Sequence, residues 1–220
     1  MQALSSKLLE AVKKAKTLAG ERKFRQSMEL IINIKGVDLS KPENRFTEAV
    51  ELPNGLGSKQ RKICVVASGN LAMQAGRIEG VQRVLQREDL EALVGRKREA
   101  KKLASSYDFF LVEPGMMGVA AKALGSALGS RGKTPVPIPP GQDLERMVKR
   151  YLKTVVVQLR KIPQVSCLIG PADESDEKLA ANAEAVLSRV VEKLEKRMRN
   201  IGSIYLKTTM GKPFSVEIRM

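Results

Sequence analysis

The middle of the chain alternates short apolar runs with helix-like stretches, and this alternation constrains the fold more than any other feature. The helix-like stretches lie around residues 70–76, 88–104 and 116–128. The apolar runs are residues 63–67, 81–85, 109–112 and 136–138. Strand and helix patterns that alternate at this spacing predict a small parallel sheet with helices on its faces.

The two ends of the chain share a different pattern. Each has an amphipathic helix, at about 3–18 and 175–199, and the strand patterns are residues 28–37, 46–52, 154–160, 165–170, 203–209 and 214–219. The sequence therefore predicts an α/β protein with two domains. The outer α+β domain, residues 1–67 and 160–220, has a largely antiparallel sheet built from both chain ends. The inserted domain, residues 68–159, is Rossmann-like, with a small parallel sheet.

The chain is strongly basic, with 39 Lys and Arg against 24 Asp and Glu and a formal net charge of +15. Both predicted domains carry net positive charge, so the expected partner is a polyanion. Nucleic acid is favoured over a membrane, because no apolar run is long enough to span one and the first helix lacks large aromatic residues. The first residues do not resemble a secretory signal, so a cytosolic protein is expected.

The sequence has no histidine, which excludes the Ser-His and Cys-His pairs of nucleophilic catalysis and removes a common zinc ligand. Cys64 and Cys167 each lie in an apolar, β-branched run and are predicted to be buried, reduced thiols. We therefore expect no cofactor, no metal and no catalytic activity.

Residues 127–134, ALGSRGKT, are similar to a phosphate-binding loop in which Ala replaces the first Gly. A nucleotide-binding enzyme that uses this loop is the alternative hypothesis. Such a loop follows a strand and precedes a helix, whereas here a helix-like stretch precedes it and a proline-rich stretch follows. The favoured interpretation is a loop in which Arg131 and Lys133 contact an RNA backbone, and an ordinary solvated loop is the other possibility. Duplex DNA is a third hypothesis, although the chain has no helix-turn-helix or zinc module.

Residues 208–213, TTMGKP, join two predicted strands. They offer the hydroxyls of Thr208 and Thr209, the backbone at Met210 and Gly211, and the Lys212 side chain to phosphate and ribose oxygens. The same segment also suits an ordinary hairpin turn. Near the start, Lys23 and Phe24 could contact a nucleotide, or the Phe could fill a core. Because aromatic residues make up only 4% of the chain, recognition of RNA shape, backbone and 2′-hydroxyls is favoured over stacking on several aromatics.

Five segments together resemble the universal large-subunit ribosomal protein of the L-one stalk family, in its archaeal or eukaryotic-like branch. They are KFRQSME at 23–29, LPNGLG at 52–57, YDFF at 107–110, LGSALGSRGKTP at 124–135 and TTMGKP at 208–213. The resemblance covers essentially the whole chain, and the last two segments are the most specific. Members commonly have Pro where Ser130 stands and often Met where Thr134 stands, which weakens the transfer of contacts to this loop.

The resemblance implies a two-domain protein, monomeric when free, that binds large-subunit ribosomal RNA at the mobile stalk near the transfer-RNA exit site. It also implies transient contact with transfer RNA and repression of translation through the protein's own messenger RNA. The implied RNA contacts lie in the first domain, and a glutamate among them can accept a hydrogen bond from a ribose 2′-hydroxyl. They are Lys23, Phe24, Ser27, Glu29, Ser203, Thr209, Met210 and Gly211.

Overall fold

The computed structural model describes residues 2–20 and 22–217, without the side chains of residues 2 and 3. The chain divides into two compact units: an outer unit, Met1–Lys59 with Lys153–Met220, and an inserted unit, Gln60–Leu152. Both predicted boundaries lie too far along the chain. The run at 63–66 pairs with strands of the inserted unit, and the run at 154–159 pairs with a strand of the outer unit. Hydrogen-bond partners decide the division, and they are not visible in hydrophobicity.

The outer unit contains a four-stranded sheet, a two-stranded sheet and two long helices, in the α/β arrangement that the sequence predicts. The elements are α1 (Gln2–Thr17), β1 (Ser27–Ile34), β2 (Phe46–Glu51), β7 (Thr154–Leu159), β8 (Gln164–Pro171), α7 (Asp176–Lys193), β9 (Ile201–Thr208) and β10 (Phe214–Val216). The four-stranded sheet has the order β10-β9-β1-β8 and is antiparallel throughout, and β2 pairs with β7.

Strand β1 is central in this sheet and alternates strictly along its length. Met28, Leu30 and Ile32 are buried and join the core beneath α1 and α7. The residues between them are half-exposed, as are alternate residues of β9. We call this second side of the sheet the outer face. It comprises Glu29, Ile31, Asn33, Gln164, Ser166, Leu168, Ser203, Tyr205, Lys207 and Ser215.

Asn182, a buried polar residue of α7, ties three parts of the outer unit together. Its Oδ1 accepts from the Asn54 backbone N–H at 3.0 Å, and its Nδ2 donates to the carbonyls of Gly55 at 2.9 Å and Ile169 at 2.8 Å. Side-chain amides satisfy donors and acceptors together, so the residue can be buried without loss of hydrogen bonding. It fixes the loop after β2 against α7 and β8.

The inserted unit is built on a four-stranded parallel sheet, as the alternation predicts. The elements are β3 (Ile63–Val66), α2 (Gly69–Arg77), β4 (Val81–Leu85), α3 (Arg87–Leu93), α4 (Lys97–Ser106), β5 (Phe109–Val112), α5 (Met117–Gly129), β6 (Val136–Pro137) and α6 (Leu144–Leu152). The strand order is β4-β3-β5-β6. Strands β3 and β5 are buried along their full length, in agreement with their uninterrupted apolar sequences.

Three predicted elements differ from the structure at identifiable residues. The helix expected at 88–104 is two helices, because Gly95 adopts a left-handed φ of +83° between them. The helix expected at 175–199 ends at Lys193, and the buried Asn200 side chain accepts from Lys196 N–H at 2.8 Å in the turn that follows. The last predicted strand is observed as Phe214–Val216, and its residues 218 and 219 lie outside the described part of the chain.

The two cysteines are not joined by a disulfide bond. Cys64 is fully buried in β3, and burial raises the pKa of its thiol to about 12. Cys167 in β8 is only half-buried, which corrects the prediction of full burial. Across residues 2–20 and 22–217, the chain forms no helix with the length and hydropathy needed to cross a membrane.

Candidate nucleic-acid interface

The start of β1 and the end of β9 meet at one end of the four-stranded sheet. Thr209 donates its backbone N–H to the Ser27 carbonyl at 2.9 Å, and Thr209 Oγ1 accepts from the Ser27 backbone N–H at 3.0 Å. Because β1 and β9 are antiparallel, residues near the two ends of the chain become neighbours. The structure thus brings together two segments that the sequence analysis selected separately.

The turn after β9 is closed by Gly211, whose N–H donates to the Thr208 carbonyl at 3.0 Å. A Cβ atom at Gly211 would collide with Thr208 Oγ1, so this position requires glycine. The turn is held to the segment that precedes β1. Met210 N–H donates to Gln26 Oε1 at 3.1 Å, and Gln26 Nε2 donates to the Gly20 carbonyl at 2.9 Å. We call Gln26 and residues 209–211 the turn patch.

Two large apolar side chains are exposed at and beside this patch. Met210 is 59% exposed and Phe24, two residues before Gln26, is 53% exposed. The possibility that Phe24 fills a core is therefore wrong. Lys23 and Lys212 are also exposed. Apolar groups with adjacent cations suit contact with the sugar and base surfaces of a nucleic acid.

One glutamate and two lysine side chains lie beside the turn patch. Lys207 Nζ lies 3.7 Å from Glu29 Oε2 and donates to the Thr209 carbonyl at 2.9 Å. Lys59 Nζ donates to Ser27 Oγ, which orients the buried serine. Glu29 is half-exposed, so its carboxylate can accept a hydrogen bond from a ligand.

Thr208 and Ser203 do not lie on the turn patch. Thr208 is fully buried and faces the core, whereas Thr209 faces outward. Ser203 is on the outer face but six residues back along an extended strand, roughly 20 Å from Thr209. There Asn33 Nδ2 donates to Ser203 Oγ at 2.9 Å, and Gln164 Nε2 donates to Asn33 Oδ1 at 2.9 Å.

Arg131 and Lys133 belong to the inserted unit and bind its own backbone. Arg131 Nη1 donates to the Ala127 carbonyl at 3.1 Å. Lys133 Nζ donates to the carbonyls of Ala104 at 2.8 Å and Tyr107 at 2.5 Å, so it caps the C-terminal end of α4. Burial lowers the pKa of the Lys133 ammonium. Contact with RNA by Arg131, which is exposed, remains a prediction.

The loop at 127–134 does not have the arrangement of a phosphate-binding loop. The backbone N–H groups of Arg131 and Lys133 donate to the Leu128 carbonyl at 2.9 and 3.0 Å, and that of Gly132 donates to Gly129 at 3.0 Å. These bonds close the end of α5. Because a phosphate-binding loop turns such groups toward its ligand, the geometry argues against the nucleotide hypothesis.

Four site residues were missed by the sequence analysis: Gln26, Asn33, Lys59 and Lys207. The alternation of β1 and β9 was a usable signal for Asn33 and Lys207, because every second residue of a strand shares a face. Gln26 and Lys59 gave no signal, because their partners at Met210 and Ser27 are distant in sequence.

A basic chain with an exposed patch of hydroxyl, apolar and cationic groups is typical of an RNA-binding protein. The sequence model of the Ribosomal protein L1p/L10e family matches residues 12–212. The chain belongs to this family, which confirms the resemblance stated from the motifs.

Curated relatives match along nearly the whole chain. The large ribosomal subunit protein uL1 of Methanothermococcus thermolithotrophicus is 46% identical over 210 residues, which cover 96% of this chain and 97% of the relative. The protein of the same name from Thermococcus kodakarensis is 47% identical over 212 residues, with 96% and 97% covered. That of Methanothermobacter thermautotrophicus is 45% identical over 208 residues, with 94% and 97% covered. These sources are archaeal, and the names describe ribosomal proteins and not enzymes, so the prediction of a non-enzyme is confirmed.

Proposed function

We propose that this chain is a structural protein of the large ribosomal subunit that binds large-subunit ribosomal RNA, with the turn patch as its central contact. The observation that carries the proposal is the pairing of Ser27 with Thr209, which assembles one exposed surface from both chain ends. Membership in a family whose relatives are named as large-subunit proteins supports it.

The groups on the turn patch suit a structured RNA. Thr209 Oγ1 can accept a hydrogen bond from a ribose hydroxyl, and Met210 can cover the apolar face of a sugar or base. Glu29 can accept from a 2′-hydroxyl, a group that distinguishes RNA from DNA. Lysines at 23 and 212 add attraction for the backbone.

The finer functions rest on the family resemblance. We propose a position on the mobile stalk near the transfer-RNA exit site of the cytoplasmic ribosome, with transient contact to transfer RNA. Binding to the protein's own messenger RNA, with repression of its translation, and a monomeric state before assembly are proposed on the same basis.

Binding of large-subunit RNA fragments by the full chain, followed by filter retention, tests the main proposal. Thr209→Ala and Met210→Ala should each weaken binding by about tenfold to a hundredfold, because each removes a contact from the centre of a desolvated patch. The control is Lys101→Ala, which removes an exposed cation of the inserted unit and should change affinity by less than about threefold. Equal losses for all three variants would show that the turn patch does not recognise the RNA.

A further inference from the structure

A basic groove lies in the outer unit, at the end of the outer face opposite the turn patch. It has a volume of about 690 Å³, within the range of roughly 300–1,000 Å³ for sites that hold a small ligand. Its walls are the start of β2, the end of β7 and the hairpin that connects β7 to β8. The lining residues used here are Arg45, Gln158, Arg160, Lys161, Ile162 and Gln164.

Three of these residues are cations, and no Asp or Glu is among the described residues that line the groove. Arg160 and Lys161 are exposed, and neither has an ion-pair partner within residues 2–20 and 22–217. By contrast, Arg189 and Lys193 of α7 both bind Glu48, at 3.0 and 2.6 Å. The groove therefore concentrates positive charge that the protein itself does not neutralise.

The groove is preformed by backbone hydrogen bonds. Ile34 N–H donates to the Pro163 carbonyl at 2.8 Å and Gln164 N–H donates to the Ile162 carbonyl at 2.7 Å, which fixes the hairpin to the end of β1. Arg45 is also fixed, because its Nε donates to the Leu39 carbonyl at 2.7 Å. A cation held in place, as Arg45 is, loses little conformational freedom when it binds an anion.

A row of hydrogen-bonded side chains connects the groove to the outer face. Gln164 lines the groove and donates to Asn33, which donates to Ser203. Ser203 lies on the same face of β9 as Lys207, and Lys207 bonds the backbone of Thr209 in the turn patch. The outer face thus carries polar side chains at both ends, with Ile31 and Tyr205 between them.

We infer that the groove is a second contact site for the same RNA, in which Arg160, Lys161 and Arg45 bind backbone phosphates beyond the segment held by the turn patch. The inference rests on the proposed function. An RNA strand that leaves the turn patch along the outer face reaches the groove after roughly 20 Å, the length of six extended residues from Thr209 to Ser203. Ile162, 68% exposed, provides an apolar surface for a sugar.

RNA is favoured over an acidic protein segment because the groove and the turn patch lie at the two ends of the same face of one sheet. The amide and hydroxyl groups of Gln164, Asn33 and Ser203 can bond ribose and phosphate oxygens along that path.

The test compares the double variant Arg160→Gln/Lys161→Gln of the full chain with wild type. The probe is the shortest large-subunit ribosomal RNA fragment that wild type protects from hydroxyl radicals. Loss of two phosphate contacts should reduce the slope of log affinity against log salt by about one to two and weaken binding by about tenfold at 100 mM salt. Protection should disappear from one discrete backbone segment at an edge of the footprint and persist at its centre.

The matched control is Lys101→Gln/Lys102→Gln, which removes the same charge from exposed positions on α4. If the two double variants give the same affinity, slope and footprint, the groove does not bind this RNA, and a protein partner would then be the candidate occupant. The Thr209→Ala variant distinguishes failure of the groove proposal from failure of the proposed function, because loss of the turn-patch contact should remove protection at the centre of the footprint. Full protection of the RNA by the Thr209→Ala protein would instead contradict the proposal that the turn patch binds this RNA.

Discussion

Thr208 is the last residue of β9 and Thr209 follows it, but their side chains face opposite sides of the sheet. Thr209 Oγ1 accepts from Ser27 N–H, while the fully buried Thr208 Oγ1 has no hydrogen-bond partner among the described residues. A buried hydroxyl without a partner costs about 1–3 kcal/mol. We therefore expect Thr208 to affect stability and Thr209 to affect recognition.

Thr208→Val should test this division. The substitution replaces the unsatisfied hydroxyl by a methyl group of similar size, so the free energy of unfolding should rise by about 1 kcal/mol. RNA affinity should stay within about twofold. Urea unfolding followed by circular dichroism measures the first quantity and filter retention the second.

Thr47→Val, on an exposed position of β2, is the control and should change stability by less than about 0.5 kcal/mol. A tenfold loss of RNA affinity in a stably folded Thr208→Val variant would restore Thr208 as an RNA contact, as the sequence suggested.

Much of the candidate site could be predicted at the level of residue types. The hydroxyls, glycine and lysine of 208–213 were identified from the sequence because their chemistry suits phosphate and ribose. Which of them faces outward depends on the register of β9, and the sequence leaves both registers open for two adjacent threonines. The partners of Gln26 and Lys59 depend on tertiary contacts and could not be predicted.

Asn182 connects three elements of the outer unit through one side chain. Its three hydrogen bonds join α7, the loop after β2 and strand β8. All three partners are backbone groups, so any residue without both a donor and an acceptor leaves at least one of them unsatisfied.

Asn182→Ala should lower the free energy of unfolding by about 3 kcal/mol, since three backbone groups lose their partner in a buried place. Asn182→Asp should be at least as harmful, because a carboxylate cannot donate to the carbonyls of Gly55 and Ile169. Chemical denaturation measures both. Ser188→Ala, on an exposed position of the same helix, should be neutral. A loss below about 1 kcal/mol for Asn182→Ala would mean that water replaces the amide.

Element types followed from the sequence more reliably than element ends. Phe109–Val112 has the predicted bounds, because a short apolar run bounded by polar residues specifies a buried strand. Val81–Leu85 also has the predicted bounds, although only Leu85 in it is buried. The break between α3 and α4 was missed, since a single glycine is tolerated inside many helices and only its left-handed φ reveals the break.

At the scale of the whole molecule, the two units have separate hydrophobic cores that share no residue. The insertion of one domain into another could be predicted from the change of pattern along the chain. The residues at which the chain passes from one unit to the other could not be predicted, because they depend on which strands pair. Glu51 lies opposite Thr154, and Leu52 N–H donates to the Lys153 carbonyl at 3.0 Å.

These contacts hold Lys153 against the segment of the outer unit that precedes the inserted unit. A chain in which residues 60–152 are replaced by a short Gly-Ser linker should fold, because Lys153 lies beside Leu52 and Gly55, within a few residues of Lys59. It keeps the turn patch and the groove. We expect RNA affinity within about tenfold of the full chain at 100 mM salt, with a shallower salt dependence because the cations of the inserted unit are absent.

For the full chain, if it makes about six to ten phosphate contacts, raising the salt from 50 to 200 mM should lower RNA affinity by about three to five orders of magnitude. Circular dichroism establishes that the linker protein is folded, and filter retention across this salt range measures both proteins. The control is the linker protein with Thr209→Ala, which should lose the remaining specific binding. A folded linker protein that binds no RNA would move the main contact to the inserted unit, where Arg131 would become the first residue to test.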